Sequence, residues 1–238
     1  MTLKILNDEV QLWVWPLNSR RYAIEEIEAT LSDDEKARAA RFVFEKHAAR
    51  YRAGRTQLRE ILASYLDVGP SEIAFQYGAN GKPDLAPALN STLRFNLAHS
   101  EDLAALAITR DVQIGLDIEY VRPIEDGVAR HHFSPKEYAD LSSLQSEGWR
   151  DGFFRCWTRK EAVIKALGDG LSLPLDSFDV TLLPTEPARL VRNAFDAAAP
   201  SEWMLHHFEP AKGCMGAIAA NTKGQKLTIT PMTDLGQL

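Results

Sequence analysis

The sequence predicts an α+β fold of two similar halves, residues 1–110 and 111–238, and three observations support this prediction. Segments with apolar residues at every second position, typical of strands, occur in both halves. A capping signal followed by a helical pattern also occurs in both. Finally, Tyr51-Arg52-Ala53 in the first long helix is weakly echoed by Phe154-Arg155-Cys156 in the second. We therefore expect each half to combine helices with a group of strands.

The first half begins with a predicted strand over residues 3–15, apolar on both faces. Ser32 and Glu35 form a capping box, which predicts a long helical region toward Leu66. A turn-rich loop at residues 78–83 follows a short strand at 73–77. The next predicted strands cover residues 95–98 and 103–109, joined by a turn at 99–102, and another strand follows directly at 114–119.

The second half starts with helices and ends with strands. Ser134 is a predicted N-cap, with Pro135 at the first helical position and Glu137 completing the capping box. A second helix is predicted from about Trp149 to residue 167, ending at Gly168, because glycine is the usual residue after a helix C-terminus. Four predicted strands follow, at residues 177–183, 203–208, 215–220 and 227–231.

The overall composition indicates an ordinary globular protein. Hydrophobic residues make up 45% of the chain and charged residues 25%. The net charge of −6 argues against nucleic-acid and anionic-membrane binding. Two cysteines, Cys156 and Cys214, are too few for a disulfide framework. Since no segment resembles a signal peptide or a membrane span, we expect a cytoplasmic protein.

Positive charge is concentrated between residues 36 and 59, a stretch with eight Lys or Arg residues and a single acid, Glu45. A basic stretch on an acidic protein suggests a polyanionic ligand, although a solvated helix face gives the same pattern and is the commoner cause. Charge alone therefore leaves both interpretations open.

Three acids and a lysine form the most informative pattern. Asp117 and Glu119 alternate with apolar residues in the predicted strand 114–119, so they project from the same face. Glu161 and Lys165, four residues apart, share one face of the second long helix. Carboxylates that converge beside a lysine suit a hard divalent cation that holds a phosphate ester. The alternatives are surface acids on the strand and a common Glu–Lys pair on the helix.

Few other residues indicate chemistry. His99 follows an apolar strand, and Lys82 lies on a loop stiffened by Pro83, which is a common way to hold a phosphate or a ring. The sequence has no Walker-type phosphate loop, no dinucleotide-binding glycine pattern and no Gly-x-Ser-x-Gly motif. The histidine pairs lack zinc-ligand spacing with the cysteines.

Five motifs in register resemble the 4′-phosphopantetheinyl transferases, and most of all the larger, surfactin-synthetase-activating type. The resemblance covers residues from about 31 to 180 and includes residues 170–178. Its motifs are Gly81-Lys82-Pro83, Phe95-Asn96-Leu97-Ala98-His99-Ser100, Ile114-Gly115-Leu116-Asp117-Ile118-Glu119, Phe133-Ser134-Pro135-Lys136-Glu137-Tyr138 and Trp157-Thr158-Arg159-Lys160-Glu161-Ala162-Val163-Ile164-Lys165.

The resemblance implies an enzyme that moves the 4′-phosphopantetheine arm of coenzyme A to a serine of an apo acyl or peptidyl carrier protein and releases adenosine 3′,5′-bisphosphate. It implies Mg²⁺ as the cofactor, a monomer, and an active site between two related halves. Asp117, Glu119 and Glu161 match the metal-binding acids, and Glu161 or a water that it orients would deprotonate the serine. The implied catalytic residues are Glu161, Lys165 and Asp117. The implied coenzyme A contacts are Arg50, Lys82, His99, Lys160 and Lys165.

Two positions depart from the family pattern. Ala98 stands where a serine is frequent, and Glu35 stands where some relatives have a lysine that faces a phosphate, with Arg38 one turn later as its substitute. Both departures concern the pocket for the 3′-phosphate. Two other functions stay open: a non-catalytic module that binds coenzyme A or a carrier protein, and a metal-dependent phosphodiesterase that uses the same acids.

Overall fold

A computed structural model describes residues 2–17, 22–168 and 173–232. Residues 170–172, the start of the last matching segment, lie outside these ranges. The fold is α+β, as predicted. Its helices are α1 (Ile24–Thr30), α2 (Asp33–Ala39), α3 (Glu45–Leu66), α4 (Asp126–His132), α5 (Pro135–Ser142), α6 (Ser146–Leu167) and α7 (Ala199–Glu202). Its strands are β1 (Glu9–Pro16), β2 (Phe75–Tyr77), β3 (Pro83–Leu85), β4 (Leu93–Ser100), β5 (Leu103–Arg110), β6 (Ile114–Tyr120), β7 (Phe178–Val180), β8 (Leu190–Asn193), β9 (Trp203–Ala211), β10 (Cys214–Asn221) and β11 (Thr228–Met232).

Two main sheets face each other across a shared core. One has the strand order β11-β1-β5-β4 and the other the order β6-β10-β9. Strand β5 is buried on both faces: Leu106 packs toward α3, while Ala107 belongs to a cluster with Leu116 and Ile218 of the second sheet. Because side chains alternate along a strand, each sheet covers a helix on one face and the other sheet on the opposite face.

Each main sheet carries one helix of 22 residues on its outer face. Leu58 and Leu62 of α3 pack with Trp13 of β1, and Val163 of α6 packs with Ala217 of β10. This arrangement agrees with the prediction of two similar halves, but the boundary between residues 110 and 111 stays a prediction. Strand β11, from the second half, lies parallel to β1 and completes the sheet of the first.

The long helical region predicted from Ser32 to Leu66 is divided in the structure. Helix α2 ends at Ala39 and α3 begins at Glu45. The carboxylate of Glu35 is buried and accepts hydrogen bonds from Arg55 Nε at 2.6 Å and Arg59 Nε at 2.7 Å. These ion pairs hold α2 against α3, which requires the chain to turn between them. The predicted helical region therefore consists of two helices, α2 and α3, separated by residues 40–44.

Several other boundaries shift. Residues 99–100 belong to β4, so the predicted turn shrinks to Glu101-Asp102, and α6 starts at Ser146 rather than Trp149. The capping box at Ser134 is confirmed, because Ser134 Oγ accepts the Glu137 N–H at 3.2 Å. Helices α1, α4 and α7 and strands β3 and β8 carried no sequence signal that we recognised. In the described part of the chain, every helix is too short or too polar to cross a bilayer.

His207 makes the stability of this fold depend on pH. It lies on β9 beside Leu205, and its buried Nδ1 finds no hydrogen-bond partner among the described residues. Burial, followed by the charges of Arg159 and Arg155, lowers its pKa from 6.5 to about 4. Because the unfolded chain takes up this proton more readily, stability rises with pH between about 4 and 6.5 and is lost as pH falls through that window.

We therefore expect His207→Gln to reduce the loss of stability on going from about pH 7 to about pH 4.5, by about 2 kcal/mol at the lower pH. The free energy of urea unfolding at the two pH values, in wild type and variant, measures this difference. Equal losses in both proteins would show that other groups cause the acid sensitivity.

Candidate active site

The crossing of β6 over α6 forms the base of the site. A Cβ on Gly115 would lie 1.9 Å from the Ala162 carbonyl oxygen and 2.4 Å from the Ala166 nitrogen. Only glycine allows this close approach of strand and helix. Residues 115, 117 and 119 alternate with the core residues of β6, so they share the face that meets α6. The prediction that Asp117 and Glu119 lie on one face is confirmed.

Asp117 lies in the centre of this crossing. It is 6% exposed, and its Oδ1 accepts a hydrogen bond from Lys165 Nζ at 2.7 Å. Its Oδ2 is buried and has no hydrogen-bond partner among the described residues. Burial raises the pKa of Asp117 to about 7; Lys165 opposes this rise, and the negative charges of Glu119 and Glu161 add to it. Lys165 therefore offsets only part of the cost of burying this carboxylate.

Glu119 and Glu161 flank Asp117. Glu119 Oε2 accepts hydrogen bonds from Ser100 Oγ at 3.0 Å and from Arg122 Nη1 at 2.8 Å. Burial raises the pKa of Glu161, with Lys165 opposing the shift and Glu119 adding to it. The three acids therefore lie close enough to repel one another. A helix from one part of the chain and a strand from another bring them together.

These acids do not form a finished metal site. Across residues 2–17, 22–168 and 173–232, no three His, Cys, Asp or Glu side chains are arranged as ligands of one ion. Their chemistry nevertheless fits a hard cation, since all three offer carboxylate oxygens. The unpartnered Oδ2 of Asp117 also fits, and so does its raised pKa, because a bound cation would relieve both. The predicted metal role of the three acids stays a prediction.

A basic cavity opens beside the acids, with a volume of about 760 Å³. Helix α3, the end of β4 and the residues that follow β6 contribute to its walls. Glu119 belongs to both the cavity and the acid cluster. The positively charged or titratable nitrogen-bearing side chains of the wall are Arg38, Arg50, Arg55, Arg122, His47 and His99. A cavity with this lining suits a polyanion.

Arg50 and His99, both predicted to contact coenzyme A, lie in this wall. Arg50 Nη1 is 3.7 Å from Glu101 Oε2, a distance that leaves the guanidinium able to reorient toward a ligand. The imidazole of His99 is exposed to the cavity, yet desolvation by the surrounding walls lowers its pKa, and the charge of Lys165 adds to this shift. His99 lies near the end of β4 and is close enough to Glu119 and Lys165 for their charges to act on its pKa.

Lys82 makes different contacts. Its Nζ donates hydrogen bonds to the carbonyl oxygens of Ile114 at 3.0 Å and Ala166 at 3.4 Å. Burial lowers its pKa to about 8. The neighbouring Gly81 and Pro83 line the cavity, but the ammonium group faces the β6–α6 crossing. Its predicted contact with coenzyme A therefore has no support in these bonds.

The structure corrects the assignment of Lys160 to coenzyme A binding. Its side chain is fully buried, and its Nζ lies 2.8 Å from Glu137 Oε2 and 2.7 Å from the Leu175 carbonyl oxygen. Glu137 also accepts the Val180 N–H at 2.7 Å. An ammonium that is enclosed in this way cannot reach a ligand. Lys160 joins α5, α6 and the start of β7 instead.

Sequence reasoning missed Arg55, which lines the cavity. Its guanidinium is held by Glu35 and lies 4.4 Å from the centre of the Phe75 ring. Glu35 thus serves as a buried partner for two arginines, which explains its departure from the lysine of some relatives. The available signal was the spacing of Arg55 and Arg59 on one helical face, because like charges four residues apart repel and an acid between them relieves the repulsion.

Comparisons with known proteins identify the family of this chain. Residues 113–222 match the family model of the 4′-phosphopantetheinyl transferase superfamily. Residues 17–111 match the model of a 4′-phosphopantetheinyl transferase N-terminal region. The chain is 44% identical over 220 residues to the 4′-phosphopantetheinyl transferase HetI of a Nostoc species, a match that covers 91% of this chain and 90% of the relative.

More distant relatives carry related names. The 4′-phosphopantetheinyl transferase Sfp of Bacillus subtilis is 35% identical over 155 residues, 64% of this chain and 66% of that protein. The human L-aminoadipate-semialdehyde dehydrogenase-phosphopantetheinyl transferase is 30% identical over 202 residues, 75% of this chain and 65% of that protein. A structure of the Thermotoga maritima holo-[acyl-carrier-protein] synthase matches with a TM-score of 0.36 and 18% identity. The match covers 47% of this chain and 64% of that chain.

Proposed function

The chain belongs to the 4′-phosphopantetheinyl transferase superfamily, and we propose that it transfers the phosphopantetheine arm of coenzyme A to a serine of an apo carrier protein with Mg²⁺ as its metal. One observation carries this proposal: a basic cavity and a cluster of three acids meet at Glu119. The cavity suits the nucleotide phosphates, and the acids suit a cation on the adjoining diphosphate.

The transfer breaks one phosphorus–oxygen bond and forms another. The serine oxygen attacks the phosphorus that carries the pantetheine arm, and adenosine 3′,5′-bisphosphate leaves with the bridging oxygen. The serine proton goes to Glu161 or to a water that Glu161 orients.

Asp117, Glu119 and Glu161 would hold the metal. When bound, Mg²⁺ neutralises the charge on the diphosphate oxygens and on the leaving group. Lys165 Nζ, 2.7 Å from Asp117 Oδ1, lies where it can turn from the carboxylate to a phosphate oxygen. Arg50 and His99 would bind the nucleotide phosphates in the cavity. We propose a monomer in the cytoplasm as the working form.

A single experiment tests the function. Purified protein is mixed with an apo carrier protein, coenzyme A and Mg²⁺, and the carrier is weighed by mass spectrometry. We expect a mass gain of one phosphopantetheine, abolished by a chelator. Binding of coenzyme A without any gain on several carriers would indicate a binding module. Breakdown of coenzyme A in the absence of a carrier would indicate a phosphodiesterase.

We expect Arg50→Met to raise the KM for coenzyme A roughly tenfold, because a charged hydrogen bond to phosphate contributes about 1.5–3 kcal/mol. The change leaves Asp117 and Glu161 in place, so kcat should vary little. Arg52→Met is the matched control: Arg52 lies on the same helix but pairs with Glu45 and is not part of the cavity wall. An equal KM in wild type and Arg50→Met would remove Arg50 from the binding site.

A further inference from the structure

Lys82 connects the two elements that carry the acids. Its ammonium donates to Ile114 at the start of β6 and to Ala166 in the last turn of α6. Residue 114 is three positions before Asp117, and residue 166 directly follows Lys165. The same loop reaches α6 a second time, because Asn80 Nδ2 donates to the Gly168 carbonyl oxygen at 3.1 Å.

The carbonyl oxygens at a helix C-terminus lack partners within the helix. A cation there satisfies them and interacts favourably with the helix dipole. Lys82 supplies such a cation from a distant loop, and the bond to Ile114 adds the strand to the same contact. Helix α6 ends at Leu167, directly beyond this contact, and Gly168 follows with a φ of +79°.

Position 115 makes the relative placement of β6 and α6 strict, since the two backbones touch there. Lys82 donates hydrogen bonds to Ile114, which precedes Gly115 on the strand, and to Ala166 in the helix turn that Gly115 contacts. A shift of α6 along β6 would lengthen the 2.7 Å contact between Lys165 and Asp117 and move Glu161 away from Glu119.

We propose that Lys82 is a positioning residue for the transfer, which fixes β6 against α6 and so sets the spacing of Asp117, Glu161 and Lys165. This proposal rests on the proposed function. A direct contact with coenzyme A would affect the affinity for the nucleotide. A positioning role instead affects the rate of the chemical step and the conformational order of β6 and α6.

The test compares Lys82→Met, which keeps the length of the side chain without its charge, with Lys82→Arg. We expect Lys82→Met to lower kcat roughly tenfold, because small displacements of reacting groups are costly. The KM for coenzyme A should stay within about twofold, unlike that of Arg50→Met. Lys82→Arg should recover part of the rate.

Hydrogen–deuterium exchange of the free protein gives a readout that requires no carrier and no metal. We expect faster exchange in Lys82→Met for amides near residues 114–118 and 162–168, with little change in α3. Asn80→Ala, which removes only the bond to Gly168, should show a smaller increase in the same helix turn and serves if Lys82→Met does not fold.

A large rise in the KM for coenzyme A, with unchanged kcat and unchanged exchange, would overturn the proposal and make Lys82 a ligand contact. Wild-type protein that modifies no carrier would end the proposed function instead. The exchange experiment would then still decide whether Lys82 orders β6 and α6, so the two failures are distinguishable.

Discussion

Asp117→Asn should lower the transfer rate by roughly a thousandfold, at the upper end of the losses seen when one stabilising group is removed from a reaction centre. The neutral amide keeps the shape of the side chain but cannot match a carboxylate as a cation ligand. Lys165 would also lose its 2.7 Å partner. The rate is measured as carrier modified per unit time at saturating coenzyme A, over a range of Mg²⁺ concentrations.

Asp179→Asn is the matched control for this change. Asp179 is also buried, at 5% exposure, and its carboxylate also accepts a hydrogen bond from a cation, Arg192 Nε, at 2.8 Å. It lies on β7, and the charges that act on its pKa are those of Arg192 and Lys160, not those of the three acids. Transfer by this variant, corrected for the folded fraction, should stay near wild type. An Asp117→Asn protein that folds and transfers at the wild-type rate would exclude Asp117 from the metal site.

Gly115→Ala should prevent the protein from folding correctly. The added methyl group would lie 1.9 Å from the Ala162 carbonyl oxygen and 2.4 Å from the Ala166 nitrogen. Both are backbone atoms of α6, so no flexible side chain can give way. We expect a loss of more than about 4 kcal/mol, a large part of the total stability of a typical domain. Thermal unfolding followed by circular dichroism would show a strongly lowered midpoint or no transition.

Gly127→Ala serves as the comparison for this effect. Gly127 lies in α4, and no described atom outside its own helix neighbourhood is within 4 Å of the position of an added Cβ. Alanine there should be neutral or stabilising by about 0.5–1 kcal/mol, because glycine weakens a helix. Equal effects of the two substitutions would contradict the close packing of β6 on α6.

Local patterns in the sequence predicted much of this site. The alternation in β6 placed Asp117 and Glu119 on one face, and the helical spacing in α6 placed Glu161 and Lys165 on another. Both inferences depend on neighbours within a few residues, and period alone determines them. The facing of those two surfaces required the resemblance to a family, because spacing does not determine which elements meet.

Contacts between distant segments explain the errors. Lys160 lies one residue before Glu161, and only the position of Glu137, 23 residues earlier, shows that its charge is neutralised inside the protein. In the same way, the solvated helix face that was one interpretation of the basic stretch does not apply to Arg55, which forms a buried pair with Glu35. A buried ion pair and a ligand contact use the same residue types, so sequence alone does not separate them.

The parallel pairing of β1 with β11 has a consequence for biosynthesis. Strand β11, which covers this edge of β1, is synthesised 219 residues later, since Glu9 pairs with Thr228. Until then β1 has one bare edge, with unsatisfied N–H and C=O groups that can recruit other chains. A nascent chain thus has to shield this edge during most of its translation, and premature termination would leave a truncated product prone to aggregation.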